Sequence, residues 1–233
     1  MTVTTVHAPS VWEPPTGVRV RGTLVVLGGA GESPRVYERF GRRLAADGYT
    51  VGVFAVADAD PARDWLVAQQ VAPRVLVGSD AGAATVLAQA ASGAEADGVI
   101  VAGLPVGGVA DDTASPGART ACPVHLGVLA AEEPGTARDE IDVPDAATLA
   151  SVPVPVLAIH GGADEIAPFI DAREVLSALP ALELVETVDG LHDALNDQSH
   201  RSVAARIVLW LERLRGAGVR HPLIRDVDTK ETR

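Results

Sequence analysis

From Val75 the chain runs through a short apolar stretch, Val75-Leu76-Val77, into Gly78-Ser79-Asp80-Ala81-Gly82 and then an alanine-rich helical segment through Thr85, Val86, Leu87, Ala88 and Gln89. Few architectures accommodate this. A buried strand must turn directly into a helix and display one polar residue between two glycines. Gly78 and Gly82 are required because the turn is tight, and a Cβ at either position would press on neighbouring backbone. The displayed residue is Asp80, where a serine is the expected occupant. Reading Ser79 as the apex instead breaks the glycine spacing, so Asp80 holds that place.

Other apolar runs flank this one. Thr23-Leu24-Val25-Val26-Leu27, residues 49–55, 99–102, 154–159 and 182–188 read as strands, several of them without polar interruption, as in a parallel sheet covered on both faces. Helical stretches alternate with them. One begins at Ser33-Pro34, with Ser33 as N-cap and Pro34 first in the helix. It carries Val36, Phe40 and Leu44 on one face and Arg39, Arg42 and Arg43 largely on the other, and closes at Gly48. Others are expected over 60–70 and 170–179. From His200 the positions Val203, Ile207, Trp210, Leu211 and Leu214 form an amphipathic closing helix. The alternation predicts an α/β protein with an open, mostly parallel, doubly wound sheet and helices on both faces.

Residues 1–20 read as an extended lead-in with room for one edge strand, and Trp12 as a side chain packed over the sheet edge. Residues 21–215 read as a single domain and 216–233 as a surface tail. Within the domain, 103–153 is irregular, broken by Gly107, Gly108, Pro116, Gly117, Pro123, Pro134 and Gly135. It is too short for a full helical lid but long enough to wall a pocket. Val124–Leu129 is expected as a short strand or a helical turn, and Asp145 as an N-cap.

Composition excludes more than it assigns. With 31 acidic against 19 basic residues the formal charge is −12, and no basic run offsets it, which argues against nucleic acid or anionic membrane as a partner. Cys122 is the only cysteine, so no intrachain disulfide can form and a reducing compartment is expected. The first residues lack a basic and an apolar region of the secretory kind, no apolar run reaches membrane-span length, and a cytoplasmic location is the expectation. His160, His192 and His200 lack a metal-site spacing, and His125 and Cys122 read as packing residues, so no metal is expected.

Polar candidates fall at the C-terminal ends of the strands, where open α/β sheets place their ligands. The loop Gly28-Gly29-Ala30-Gly31 has no lysine for a phosphate loop, and Pro34 stands where a dinucleotide fingerprint needs a glycine. It suits either a tight turn or a loop of exposed amides. Asp80, Asp164 and His192 follow in the order nucleophile, acid, histidine. Each alone has a structural reading: Asp80 as an N-cap, Asp164 after two glycines as a turn residue, His192 as a solvated loop histidine. Together, each on its own loop, they point to a catalytic set. His192 would take a proton from water, and Asp164 would hold its tautomer. The amides of Ala30 and Ala81 would face developing negative charge.

The stretch Leu27-Gly28-Gly29-Ala30-Gly31-Glu32-Ser33-Pro34-Arg35-Val36-Tyr37 resembles the His-Gly-x-Gly-Glu-His-x-x-x-Tyr segment of α/β-hydrolases of the monoglyceride lipase and lysophospholipase branch, with Gly28 in place of the histidine. His160-Gly161-Gly162-Ala163-Asp164 resembles that branch's acid loop, and Gly190-Leu191-His192-Asp193-Ala194-Leu195-Asn196 its histidine loop. The resemblance implies the α/β-hydrolase fold with a reduced lid, a hydrolase activity without cofactor, and an oxyanion amide at Ala30. Two departures matter: the serine is replaced by Asp80, and the lid is shortened. An aspartate here is similar to epoxide hydrolases and haloalkane dehalogenases, in which a carboxylate attacks an sp³ carbon. The tryptophan that usually follows it there is Ala81 here, and the cap with its epoxide-activating tyrosines has no counterpart. The expected substrate is therefore a small apolar molecule with an electrophilic carbon. Two alternatives stand beside it: a lipase-like or lyase-like enzyme in which Asp80 is an acid or base, and a non-enzymatic binding protein on a hydrolase scaffold. Neither substrate identity nor oligomeric state follows from the residues.

Overall fold

The computed structural model describes residues 9–106, 115–132, 141–216 and 218–224. The strands β1 (Ser10–Trp12), β2 (Gly22–Leu27), β3 (Tyr49–Phe54), β4 (Arg74–Ser79), β5 (Gly98–Ala102), β6 (Val156–Gly161) and β7 (Leu182–Thr187) form one sheet in the order β1-β3-β2-β4-β5-β6-β7. All neighbouring pairs are parallel except β1, which runs antiparallel along β3. The helices are α1 (Glu38–Ala46), α2 (Ala59–Val67), α3 (Ala81–Ala91), α4 (Pro116–Arg119), α5 (Pro123–Ala131), α6 (Ala146–Ala150), α7 (Phe169–Leu176) and α8 (His200–Arg215).

The uninterrupted apolar runs have the expected consequence. Successive strand residues point to opposite faces, and both faces are packed. Leu24, Val26, Val75, Val77, Ile100, Leu157 and Ile159 meet Phe40 and Leu44 of α1 and Ile207, Trp210 and Leu211 of α8. Val25, Leu27, Leu76, Val99, Val101 and Val156 meet Leu66 of α2, Leu87 of α3, Leu149 of α6 and Leu176 of α7. Each fully buried leucine or valine of these layers contributes roughly 1.5–3 kcal/mol, so the sheet is held rigidly enough to fix what stands at its rim.

Local outcomes refine the expectations. Pro34–Tyr37 is a 3-10 turn that precedes α1, and the Ser33 side chain makes no capping bond. The Ser33 carbonyl instead accepts the Val36 amide at 3.1 Å, which closes the turn through backbone alone. Gly48, at φ 98°, ends α1 as expected. Trp12 belongs to the edge strand β1 itself and packs on α1: its ring lies where a side chain on Gly41 would be. Val124–Leu129 lies inside helix α5, with Pro123 in its first turn. Asp145 caps α6 by accepting the Thr148 amide. Parts of the lead-in, of the 103–153 segment and of the tail fall outside the described residues, Gly107, Gly108, Pro134 and Gly135 among them.

Candidate active site

Asp80 stands between the end of β4 and the start of α3 with φ 51° and ψ −122°. A non-glycine residue in this region carries about 1–3 kcal/mol of strain and persists only where its surroundings over-determine it. Here the Asp80 amide donates to the Ala102 carbonyl at 3.0 Å, and its own carbonyl accepts the Ala83 amide at 2.8 Å. The flanking glycines are needed for space. A side chain on Gly78 would run into the backbone of Gly82, and one on Gly82 into the carbonyls of Leu27 and Gly28. The first turn of α3 thereby lies directly on the end of β2. The Asp80 side chain makes no capping bond to α3. It lies under the glycine loop, where a Cβ on Gly29 would fall 2.8 Å from Asp80 Oδ2. Ala30 stands in that loop and Ala81 opens α3.

His192 follows β7 in a loop that Asp197 holds in place. Asp197 Oδ2 accepts the Leu191 amide at 2.9 Å, and its Oδ1 accepts the Thr120 hydroxyl at 2.9 Å and the Ala121 amide at 2.8 Å. The imidazole is only 2 % exposed. Its Nδ1 lies 2.8 Å from Asp164 Oδ2, and its Nε2 3.5 Å from Asp80 Oδ1. The first is a short charge-assisted hydrogen bond; the second is an ion contact, longer than a good hydrogen bond. Asp164 Oδ1 accepts the amides of Ile166 and Ala167 at 2.9 and 3.0 Å. The structure therefore brings Asp80, His192 and Asp164 together in the expected order at one rim of the sheet.

Electrostatics follow from these contacts. Burial alone would lower the His192 pKa, but hydrogen bonding to Asp164 and Asp80 and their negative charge raise it to about 10. Burial pushes the Asp164 carboxyl up, yet the histidines and backbone amides around it hold it well below the usual carboxylate range. At neutral pH His192 is held as the imidazolium, bonded to the Asp164 carboxylate.

Sequence reasoning missed two features. His160 is buried against Asp164: its Nε2 donates to the Ala167 carbonyl at 2.6 Å and lies 3.2 Å from Asp164 Oδ2. The four-residue spacing within the acid loop was its only signal. The second feature is a buried ion network beside the triad. Arg119, from α4, donates to Glu32 Oε1 at 2.6 Å and to Asp193 Oδ1 at 2.8 Å. Glu32 Oε2 accepts the Gly29 amide at 2.8 Å and the Tyr37 hydroxyl at 2.5 Å. Asp193 Oδ2 lies 2.8 Å from His125 Nε2, and the Asp193 amide donates to the Arg119 carbonyl at 2.9 Å. Arg119 thus ties the glycine loop to the histidine loop. Glu32 and Tyr37 were visible as parts of a motif; Arg119 sits in the irregular segment, where no pattern marks it. Among the described residues no cluster of histidine, cysteine, aspartate and glutamate could hold a metal ion, and no helix is long and apolar enough to cross a membrane.

No protein-family model matches the chain, and no curated protein sequence matches it. Solved structures do. The monoacylglycerol lipase of Paleococcus ferrophilus superposes with a TM-score of 0.72 at 17% identity, over 88% of this chain and 97% of that one. A soluble variant of the monoglyceride lipase of Saccharomyces cerevisiae, bound to a substrate analogue, gives 0.73 at 16% identity, over 88% and 91%. The chain has the α/β-hydrolase fold. The enol-lactonase of Burkholderia xenovorans LB400, at 0.69 and 15% identity over 86% and 94%, shares that fold. At these identities the likeness is one of architecture, and the chemistry must be argued from the site.

Proposed function

We propose that this α/β-hydrolase-fold protein is a hydrolase in which Asp80 is the nucleophile, His192 the proton carrier and Asp164 its orienter. The substrate is a small apolar molecule with an electrophilic carbon. One observation carries the reading: a strained, buried aspartate at the elbow apex faces the Nε2 of a histidine whose Nδ1 is bonded to a second carboxylate. A carboxylate that attacks an sp³ carbon forms an ordinary ester, which water and His192 can cleave. Attack on an acyl ester, the chemistry of lipases, would give a mixed anhydride, and the Asp-for-Ser exchange disfavours that route. Hydrolysis of the alkyl ester generates an oxyanion on the Asp80 side chain, for which the amides of Ala30 and Ala81 are the proposed donors.

The experiment is a single turnover in heavy-oxygen water. Water attacks the Asp80 ester carbonyl, so label enters the Asp80 carboxylate, found by peptide mass spectrometry. Product formed without label in Asp80 rules the covalent route out. An Asp80→Ser variant that gains activity on short acyl esters would instead favour Asp80 as an acid or base on a lipase-like site.

A further inference from the structure

Both ring nitrogens of His192 face a carboxylate, Nδ1 toward Asp164 and Nε2 toward Asp80. A neutral imidazole has one N–H and one lone pair, so one nitrogen would direct its lone pair at a buried oxygen. Asp164 is ionised, because its other oxygen accepts two backbone amides. The Asp80–His192 pair therefore holds one proton at rest. The N-terminus of α3 favours Asp80 as the anion and leaves the proton on the imidazole. Such a histidine cannot take a proton from water until it has given one away.

Among the described residues, the other acids near the nucleophile are committed. The chain has two tyrosines. The Tyr37 hydroxyl donates to Glu32 Oε2, and the Tyr49 hydroxyl donates to Glu212 beyond the opposite ends of the strands. Arg119 is held by Glu32 and Asp193.

On the covalent reading above, we propose that His192 acts first as acid and then as base, which suits the site to a small apolar epoxide and not to an alkyl halide. An Asp80 oxygen attacks a ring carbon. The carbon–oxygen bond breaks, and its electron pair goes to the ring oxygen, which takes the Nε2 proton. Asp80 is now a neutral ester and His192 a neutral imidazole, still anchored by Asp164. Water gives a proton to Nε2 and adds to the ester carbonyl. Collapse breaks the acyl–oxygen bond, and the leaving alkoxide takes the proton back from Nε2. The new Asp80 carboxylic acid passes its proton to His192, which restores the resting pair and releases a diol. A departing halide takes no proton. His192 then stays charged, and the ester waits until the imidazolium loses its proton to solvent.

The test compares butylene oxide and butyl bromide on wild-type protein and on His192→Gln, with the Asp80 ester followed by intact mass and peptide mapping. Wild-type protein is expected to turn over the oxide with label in Asp80. The His192→Gln variant is expected to react with the oxide at least about 100-fold more slowly, the usual minimum for a lost general acid, yet to accept the butyl group from the bromide and retain it. That last result also shows that the variant is folded. Esterification of His192→Gln by the oxide at the wild-type rate overturns the acid role and leaves the covalent reading standing. Absence of both ester and label at Asp80 in wild-type protein, with either probe, overturns the covalent reading and this proposal with it. Should the variant not fold, wild-type protein decides. Ester formation from the oxide should fall as the pH passes about 10, while that from the bromide should not; a flat oxide profile overturns the proposal.

Discussion

At the scale of single residues, burial and hydrogen bonding bear on the structural readings of Asp80, His192 and Asp164. Asp80 makes no capping bond, so its place before a helix does not explain it. His192 is enclosed, not solvated. Asp164 combines both readings: one oxygen closes the turn through the Ile166 and Ala167 amides, and the other holds the imidazole. Asp164→Asn should therefore keep the fold and lose the tautomer. By comparison with other histidine–carboxylate pairs, kcat should drop by up to about 10⁴-fold. Without that anion the His192 pKa falls from about 10, so the alkaline limb of the rate of ester formation from an epoxide should move to lower pH. A steady-state pH profile that keeps its wild-type limb would contradict the assignment. His160 shares the same carboxylate oxygen as His192, and His160→Phe should shift the limb the other way, to slightly higher pH, because Asp164 then gives that oxygen to His192 alone.

At the scale of elements, α4 is short, yet it reaches across the site. Its Arg119 binds carboxylates from two loops, Glu32 next to the glycine loop and Asp193 next to His192. Burial would lower the Arg119 pKa, but Glu32, Asp193 and Asp80 together raise it well above its ordinary value. Removing one partner of a buried ion pair leaves the other charge unpaired, at a cost of about 3–5 kcal/mol. Arg119→Met should show that loss in denaturant unfolding. Adding Glu32→Gln should recover part of it, because the double variant buries one fewer unpaired carboxylate. No recovery would mean that the two groups do not act as a pair. Helix α8 packs on the sheet through Trp210, whose ring lies where a side chain on Gly98 would be. Trp210→Ala should cost about 3–5 kcal/mol and leave the triad geometry intact in the folded fraction. A midpoint shift with unchanged kcat per folded molecule is the expected reading.

For the molecule as a whole, the shifted groups set a pH window. His192 has a folded pKa of about 10 against an ordinary 6.5. Its contribution is therefore complete below about pH 6.5 and is lost as pH rises toward 10. Glu212 is depressed to about 2 from 4.5, chiefly by its hydrogen bond to Arg21. Its contribution is complete above about pH 4.5 and is lost as pH falls toward 2. Thermal stability should be greatest between about pH 4.5 and 6.5 and should decline on both sides. A His192→Gln variant should lose the alkaline decline selectively; an unchanged alkaline slope would show that another group causes it.

The local pattern along the chain was enough for the sheet and for the placing of Asp80, Asp164 and His192 at its rim. Continuous apolar runs can be satisfied only by strands covered on both faces, and such strands end where Asp80, Asp164 and His192 stand. Spacing alone located the elbow, because Gly78 and Gly82 leave no room for a side chain. Tertiary structure alone decided what surrounds the triad. Arg119 and Glu32 meet across 87 positions of sequence, His160 shares Asp164 with His192, and the proton on His192 depends on Asp80 lying opposite it. Each of these rests on a contact between groups that are distant in sequence, or on a charge state set by neighbouring carboxylates, and apart from the four-residue spacing of His160 and Asp164 no residue pattern along the chain encodes them.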